Sequence, residues 1–170
     1  VNNPDYIHVL HNEVKNCVRC PVHVYMGACP LYRGNVLSPV AIISEKSGPM
    51  EAKLGYPFAG GSGYEIEKLL KLAHVKDPVW SYVKATNLMI CNIPDKRNPS
   101  NNELKNCQWW YTFFEVYPPK LILALGKAAV KTLGGDSSSM KKRNGREFSW
   151  RGIKCIAGYN PAFLLRLQGS

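Results

Sequence analysis

Short apolar runs alternate with longer stretches of helical periodicity along this chain. Apolar residues dominate four runs, which predict strands over 40–43, 82–90, 120–126 and 153–157. Between and around them, apolar positions recur every three or four residues, which predicts helices over 4–16, 64–74, 104–117, 127–133 and after Pro161. Strands that alternate with helices favour an α/β fold class, a three-layer αβα architecture with a central parallel four-stranded sheet.

A long polar and glycine-rich stretch follows the first predicted strand. Polar residues begin abruptly at Ser44, and Glu45, Glu51 and Phe58 follow among closely spaced glycines. Ligands of open α/β sheets bind beyond the carboxyl ends of the strands, so we expect these three side chains to border a substrate pocket. An ordinary solvated loop is the alternative for any single residue. A loop of this length is uncommon in a compact domain unless it has a function, which favours a site.

Composition favours a polyanionic partner. Lys and Arg number 22 against 12 Asp and Glu, which gives a net charge of +10 and a pI near 9.4. A membrane surface is the competing partner, but no apolar run is long enough to span a bilayer and no signal peptide opens the chain, so a cytoplasmic, intracellular location is expected. Phosphate contacts are expected from Lys96 and Arg97 and from a basic segment, 136–151, that contains Lys141, Lys142, Arg143, Arg146 and Arg151.

Six cysteines without a secretory signal favour metal binding or structural thiols over a disulfide framework. Cys17 and Cys20 have the spacing of a chelating pair, with a redox pair or chance as the alternatives. Cys91 and Cys107 lie far downstream, each beside a segment boundary. Cys155 lies in an apolar run that predicts a buried core thiol.

Ordered motifs from end to end of the chain resemble those of the uracil-DNA glycosylase superfamily, most closely its iron-sulfur family 4 type. The matching segments are Ser44-Glu-Lys-Ser-Gly48 followed by Glu51, Gly55-Tyr-Pro-Phe-Ala-Gly60, Thr86-Asn87 ahead of Cys91, Ala124-Leu-Gly126 and Asn160-Pro-Ala-Phe-Leu-Leu-Arg166. The resemblance implies a 4Fe-4S cluster of structural role held by Cys17, Cys20, Cys91 and Cys107.

The resemblance also implies roles for residues around a base that has been flipped out of DNA. Glu45 would activate water and stabilise an oxocarbenium-like sugar, and Asn160 would donate to the uracil O2. The remaining roles are stacking by Phe58, reading of the base edge by Asn87, exclusion of a 5-methyl group by Glu51, a wedge at Leu164 and a phosphate contact at Arg166.

The chain departs from the family pattern at four positions. Ser44 and Ser47 replace the Gly and Pro of the first motif, Lys46 adds a positive charge there, and Asn160 replaces the family's His. The predicted function is still a uracil-DNA glycosylase, acting on uracil or a related modified pyrimidine. A non-catalytic iron-sulfur module that binds DNA or a partner is the alternative. A zinc-stabilised nucleotide-binding protein ranks third, because no Gly-x-Gly-x-x-Gly motif follows the first strand.

The organisation expected from the sequence is a single domain over 1–170 that acts as a monomer on DNA. The chain begins with Val and stops where relatives usually continue, so we expect it to be a domain trimmed from a larger replication or repair protein.

Overall fold

The structure, a computed structural model, describes residues 4–94, 97–136 and 138–168. Its strands are β1 (Arg33–Gly34), β2 (Val40–Ser47), β3 (Lys84–Asn92), β4 (Leu121–Leu125), β5 (Glu147–Trp150) and β6 (Ile153–Gly158). Its helices are α1 (Pro4–Lys15), α2 (Pro49–Leu54), α3 (Gly61–Leu72), α4 (Asn101–Cys107), α5 (Phe113–Val116), α6 (Lys127–Thr132), α7 (Met140–Arg143) and α8 (Pro161–Gln168).

The six strands form one sheet in the order β1-β3-β2-β4-β6-β5. The four central strands are parallel, which confirms the predicted α/β class and its parallel core. The sequence missed both edge strands, β1 and β5, which pair antiparallel with their neighbours. The basic segment 136–151, for which no strand or helix was predicted, contains helix α7 as well as β5.

Strand β2 continues beyond the apolar run that predicted it. It reaches Ser47 instead of ending at Ile43, so Glu45 lies within the strand near its carboxyl end. The register against β3 shifts there: Lys46 lies opposite Met89, whereas Ser47 lies opposite Asn92. Irregularities of this kind turn side chains away from the regular alternation of a strand.

The two faces of the sheet carry separate apolar clusters. The larger cluster includes the aromatic segment after α4, where Trp110, Phe113 and Phe114 are all buried. The smaller cluster gathers Ile42, Phe58, Ile66, Val83 and Ala85. The single helix predicted over 104–117 is in fact α4, a 3₁₀ turn over 108–112 and α5. Burial on both faces accounts for the three layers.

None of the helices in the described part of the chain has both the length and the apolar character needed to cross a bilayer.

Candidate active site

A cavity of about 700 Å³ opens at the carboxyl ends of the central strands. The sequence-predicted residues Glu45, Glu51, Phe58, Asn87, Asn160 and Arg166 all line it. Leu164 does not: it lies half-buried on α8, outside the cavity wall. The parallel strands bring these residues together because their carboxyl ends share one edge of the sheet.

Glu45 provides a partly shielded carboxylate in the cavity wall. Burial raises the pKa of Glu45, and the positive charge of Lys46 partly opposes that rise. No described residue donates a hydrogen bond to this carboxylate. Its oxygens are therefore available to a water molecule or to a ligand.

Asn160 has a defined amide orientation. Its Oδ1 accepts a hydrogen bond from the backbone N–H of Ala162 at 2.9 Å, and its Nδ2 donates to Ser44 Oγ at 3.2 Å. The backbone contact identifies the oxygen, so the amide nitrogen faces Ser44 and the cavity. An NH₂ group has two hydrogens, and the second remains for a ligand. Gly126 permits this placement, since a Cβ there would lie 3.1 Å from the Asn160 Cβ.

Asn87 is held in a similar way by the second serine of the first motif. Its Nδ2 donates to Ser47 Oγ at 3.2 Å, and both residues are buried. This contact leaves the Asn87 Oδ1 and one amide hydrogen for a ligand. A group that can accept and donate side by side is suited to the polar edge of a pyrimidine.

Phe58 lines the same cavity in a strained backbone conformation, with φ of 55°. The guanidinium of Arg33 donates to its carbonyl oxygen at 2.7 Å, and its ring stacks on Trp80 with the centroids 6.3 Å apart. A Cβ at position 63 would lie 1.8 Å from the Phe58 oxygen, so only glycine fits at that position. These contacts hold the aromatic ring in place before any ligand binds.

Glu51 links two parts of the cavity wall. Its Oε2 accepts from the backbone N–H of Gly48 and its Oε1 from that of Ala59, each at 3.0 Å. Both carboxylate oxygens are thus engaged with backbone, which fixes the loop around α2 relative to the Phe58 segment.

Positive charge borders the cavity, but several of the predicted basic residues have carboxylate partners. Arg143 pairs with Asp136, Arg151 with Glu115 and Arg97 with Glu103. Lys96 lies outside the described residues. The sequence missed Lys127, which lines the cavity directly. Beside Leu164, Phe163 is the more exposed side chain and stacks on Tyr159.

Four cysteines line a second, much smaller cavity. Cys17, Cys20, Cys91 and Cys107 all line it, although they come from segments distant in sequence. Burial and the charges of the neighbouring cysteines raise the pKa of both Cys91 and Cys107 to about 12. No three described His, Cys, Asp or Glu side chains converge closely enough to hold a single ion.

Four thiols that line one cavity match the number of ligands that a 4Fe-4S cluster takes. Trp110 lines the same cavity, and its buried indole N–H has no hydrogen-bond partner among the described residues. Buried donors are rarely left unsatisfied, and a cluster sulfur is an acceptor for such a group. Cys29 and Cys155 are fully buried outside this cavity.

Sequence comparison with known proteins assigns this chain to one family. A family model described as the uracil DNA glycosylase superfamily matches residues 31–170. A type-4 uracil-DNA glycosylase from Thermotoga maritima is 28% identical over 95% of this chain and 84% of its own length. Proteins of the same name from Pyrobaculum aerophilum and Sulfurisphaera tokodaii are 29% and 26% identical, over 92% and 95% of this chain and 83% and 76% of their own lengths.

Proposed function

Because this chain belongs to the uracil DNA glycosylase superfamily, we infer that it is a uracil-DNA glycosylase, a hydrolase that cuts the N-glycosidic bond between uracil and deoxyribose in DNA. The family match confirms the resemblance read from the motifs. One structural observation supports this activity most directly: a half-buried carboxylate, two oriented amides and a fixed aromatic ring line one cavity. That combination suits a pyrimidine flipped out of DNA.

We propose that Glu45 acts at the sugar. Loss of the base leaves positive charge on the sugar ring, and a carboxylate beside it stabilises that charge and orients the attacking water. This role requires the ionised carboxylate, so Glu45 loses it as the pH falls through its raised pKa. Asn160 would donate its remaining amide hydrogen to O2 of the base, where negative charge gathers as the bond breaks.

The base would be recognised by three side chains. Phe58 stacks on it, and Asn87 reads its polar edge with Oδ1 and the free amide hydrogen. Glu51 would lie near the C5 edge and help to exclude a methyl group, and its two backbone contacts support a fixed position for this side chain. Leu164 would fill the gap left in the duplex and Arg166 would contact phosphate.

We further propose that Cys17, Cys20, Cys91 and Cys107 hold a 4Fe-4S cluster. The shared cavity and the unpartnered Trp110 N–H support this assignment. When bound, the cluster supplies four Fe–S bonds that link the segment after α1 to β3 and α4. The residues of the active-site cavity carry out the reaction.

Release of free base from a DNA oligonucleotide with a single uracil tests the function. The purified protein should release uracil from that strand and nothing from the matched thymine strand. Binding of the uracil strand without release would overturn the enzyme assignment in favour of a binding module. Oligonucleotides with modified pyrimidines, in single- and double-stranded form, would then define the preferred substrate.

A further inference from the structure

Lys46 places a primary amine beside the proposed catalytic carboxylate. It directly follows Glu45 in β2, and both residues line the active-site cavity. Consecutive side chains of a regular strand point to opposite faces of the sheet. The register shift after Lys46 marks the point where β2 loses that regularity. The proposed recognition of the base does not use the Lys46 amine.

The surroundings of Lys46 favour a reactive amine. Within the described part of the chain, no carboxylate forms an ion pair with it and no acceptor takes a hydrogen bond from its Nζ. Burial lowers the pKa of Lys46, the charge of Arg97 lowers it further, and Glu45 partly opposes the change. An unprotonated lysine is a nucleophile toward carbonyl carbons.

Removal of a base creates such a carbonyl in this cavity. The abasic deoxyribose left in the DNA exchanges between a closed ring and an open aldehyde at C1′. C1′ is the atom from which uracil departs, and Glu45 is proposed to act beside it. We propose that Lys46 confers a second activity on this protein, cleavage of the DNA strand at an abasic site through an imine between Lys46 Nζ and C1′.

Besides the amine and the DNA, the chemistry uses only water and protons from the solvent. The amine adds to C1′, and the adduct takes up a proton from solvent and loses one water, which gives an iminium ion. The Glu45 carboxylate removes a proton from C2′, the electrons form a C2′–C3′ double bond, and the C3′–O bond breaks. The phosphate leaves with its electron pair as the 5′ end of the downstream strand. Water then hydrolyses the imine, which frees Lys46 and leaves an unsaturated aldehyde on the upstream strand.

The proposal rests on the proposed function for the position of C1′, but its test does not require base release. The substrate is an oligonucleotide that already contains one abasic site, incubated with the protein and sodium borohydride. Borohydride reduces an imine to a stable amine, which appears as a covalent protein–DNA band on a denaturing gel. Parallel reactions without borohydride measure strand cleavage.

Two variants of Lys46 and one control separate its chemistry from its charge. Lys46→Ala and Lys46→Arg should each lower the covalent band and strand cleavage on the order of a hundredfold, because only the lysine amine forms the imine. Lys46→Arg keeps the positive charge, so its DNA affinity should stay near that of the unaltered protein. Lys68→Ala, which removes an exposed lysine on α3, should leave the band unchanged.

Each outcome decides the proposal. A covalent band lost with Lys46→Arg, and a modified Lys46 peptide in the mass spectrum, would support it. A band that persists at full strength in Lys46→Ala, or no band and no cleavage by the unaltered protein, would overturn it. Uracil release measured beside these reactions reports on the proposed function alone: release without imine formation removes the lyase only, and imine formation without release removes the glycosylase only.

Discussion

Two serines orient the two amides that face the active-site cavity. Ser44 accepts from Asn160 and Ser47 accepts from Asn87, each at 3.2 Å. Both serines replace residues that lack a hydroxyl in the motif this chain resembles. Ser44 stands where the motif has Gly, and Asn160 stands where it has His. A hydrogen bond joins these two changed positions.

At the same scale, Glu45→Gln should lower the single-turnover rate of uracil release on the order of a hundredfold, because the amide keeps the shape and loses the charge. Only the ionised carboxylate acts, so the rate of the unaltered enzyme should fall as the pH drops through the raised pKa of Glu45. Rate measurements across the acid range check this. A Gln variant with the same acid decline would assign the titration to another group.

Asn160 and Ser44 should respond in a graded way. Asn160→Ala removes the donor to O2 and should slow release strongly, whereas Asn160→His restores a donor and should keep or raise the rate. Ser44→Ala should cost only severalfold, because the Ala162 N–H still fixes the amide orientation. Single-turnover rates of the three variants on one uracil substrate make the comparison. A Ser44→Ala loss as large as that of Asn160→Ala would mean that the serine itself contacts the base.

At the scale of elements, helix α4 depends on its amino-terminal cap. Ser100 Oγ accepts from the Glu103 N–H, and the Glu103 carboxylate accepts from the Ser100 N–H and from Arg97. Ser100→Ala should cost about 1 kcal/mol of unfolding free energy, measured by urea denaturation. Asn101→Ala, one residue inside the helix, is a matched control that should change stability little.

The same cap should make stability depend on acid. The Arg97 guanidinium is the main cause that holds the pKa of Glu103 at about 2 in the folded protein. A carboxyl with a depressed folded pKa contributes stability above its ordinary pKa of 4.5, and that contribution disappears as the pH falls toward 2. Glu103→Gln should therefore flatten the loss of stability between these pH values. An unchanged pH profile would show that other carboxyls dominate.

The cysteine cavity gives the remaining prediction at this scale. The protein purified without air should be brown and carry roughly four irons per chain. Cys107→Ala should lose iron and stability together, because α4 would no longer be linked to β3, whereas Cys155→Ala should keep the iron. Iron analysis and visible absorption make the measurement. Zinc in a colourless protein would contradict the cluster and leave the fold standing.

The elements that the sequence predicted are those with a strong local pattern of apolar residues. The parallel strands were found because buried strands are continuous apolar runs. Strand β1 has two residues, and β5 alternates half-buried with exposed side chains inside a basic segment, so neither resembles a core strand. The motifs predicted six of the cavity residues but not Lys127. The hydrogen bonds of these residues were not predicted, since Ser44 and Asn160 are 116 positions apart.

At the scale of the whole molecule, the net charge of +10 predicts binding to DNA that weakens steeply with salt. The basic segment lies beside the cavity: Asn144 accepts from the N–H of Tyr159, the residue before Asn160. The logarithm of affinity against that of salt should have a slope of several units, and Lys141→Ala should lower it by about one. Arg143→Ala should lower it less, because Asp136 already neutralises that charge. A flat salt response would point to a protein partner.

The cysteine cavity also sets an order of assembly. Cys17 and Cys20 leave the ribosome early, but the walls that complete their cavity come from β3 and α4, at Cys91 and Cys107. Between them the chain must form β1, β2, α2 and α3, and closing so long a loop has an entropic cost that only a formed sheet offsets. We therefore expect helix α1 to join the fold late, although it is synthesised before β3 and α4.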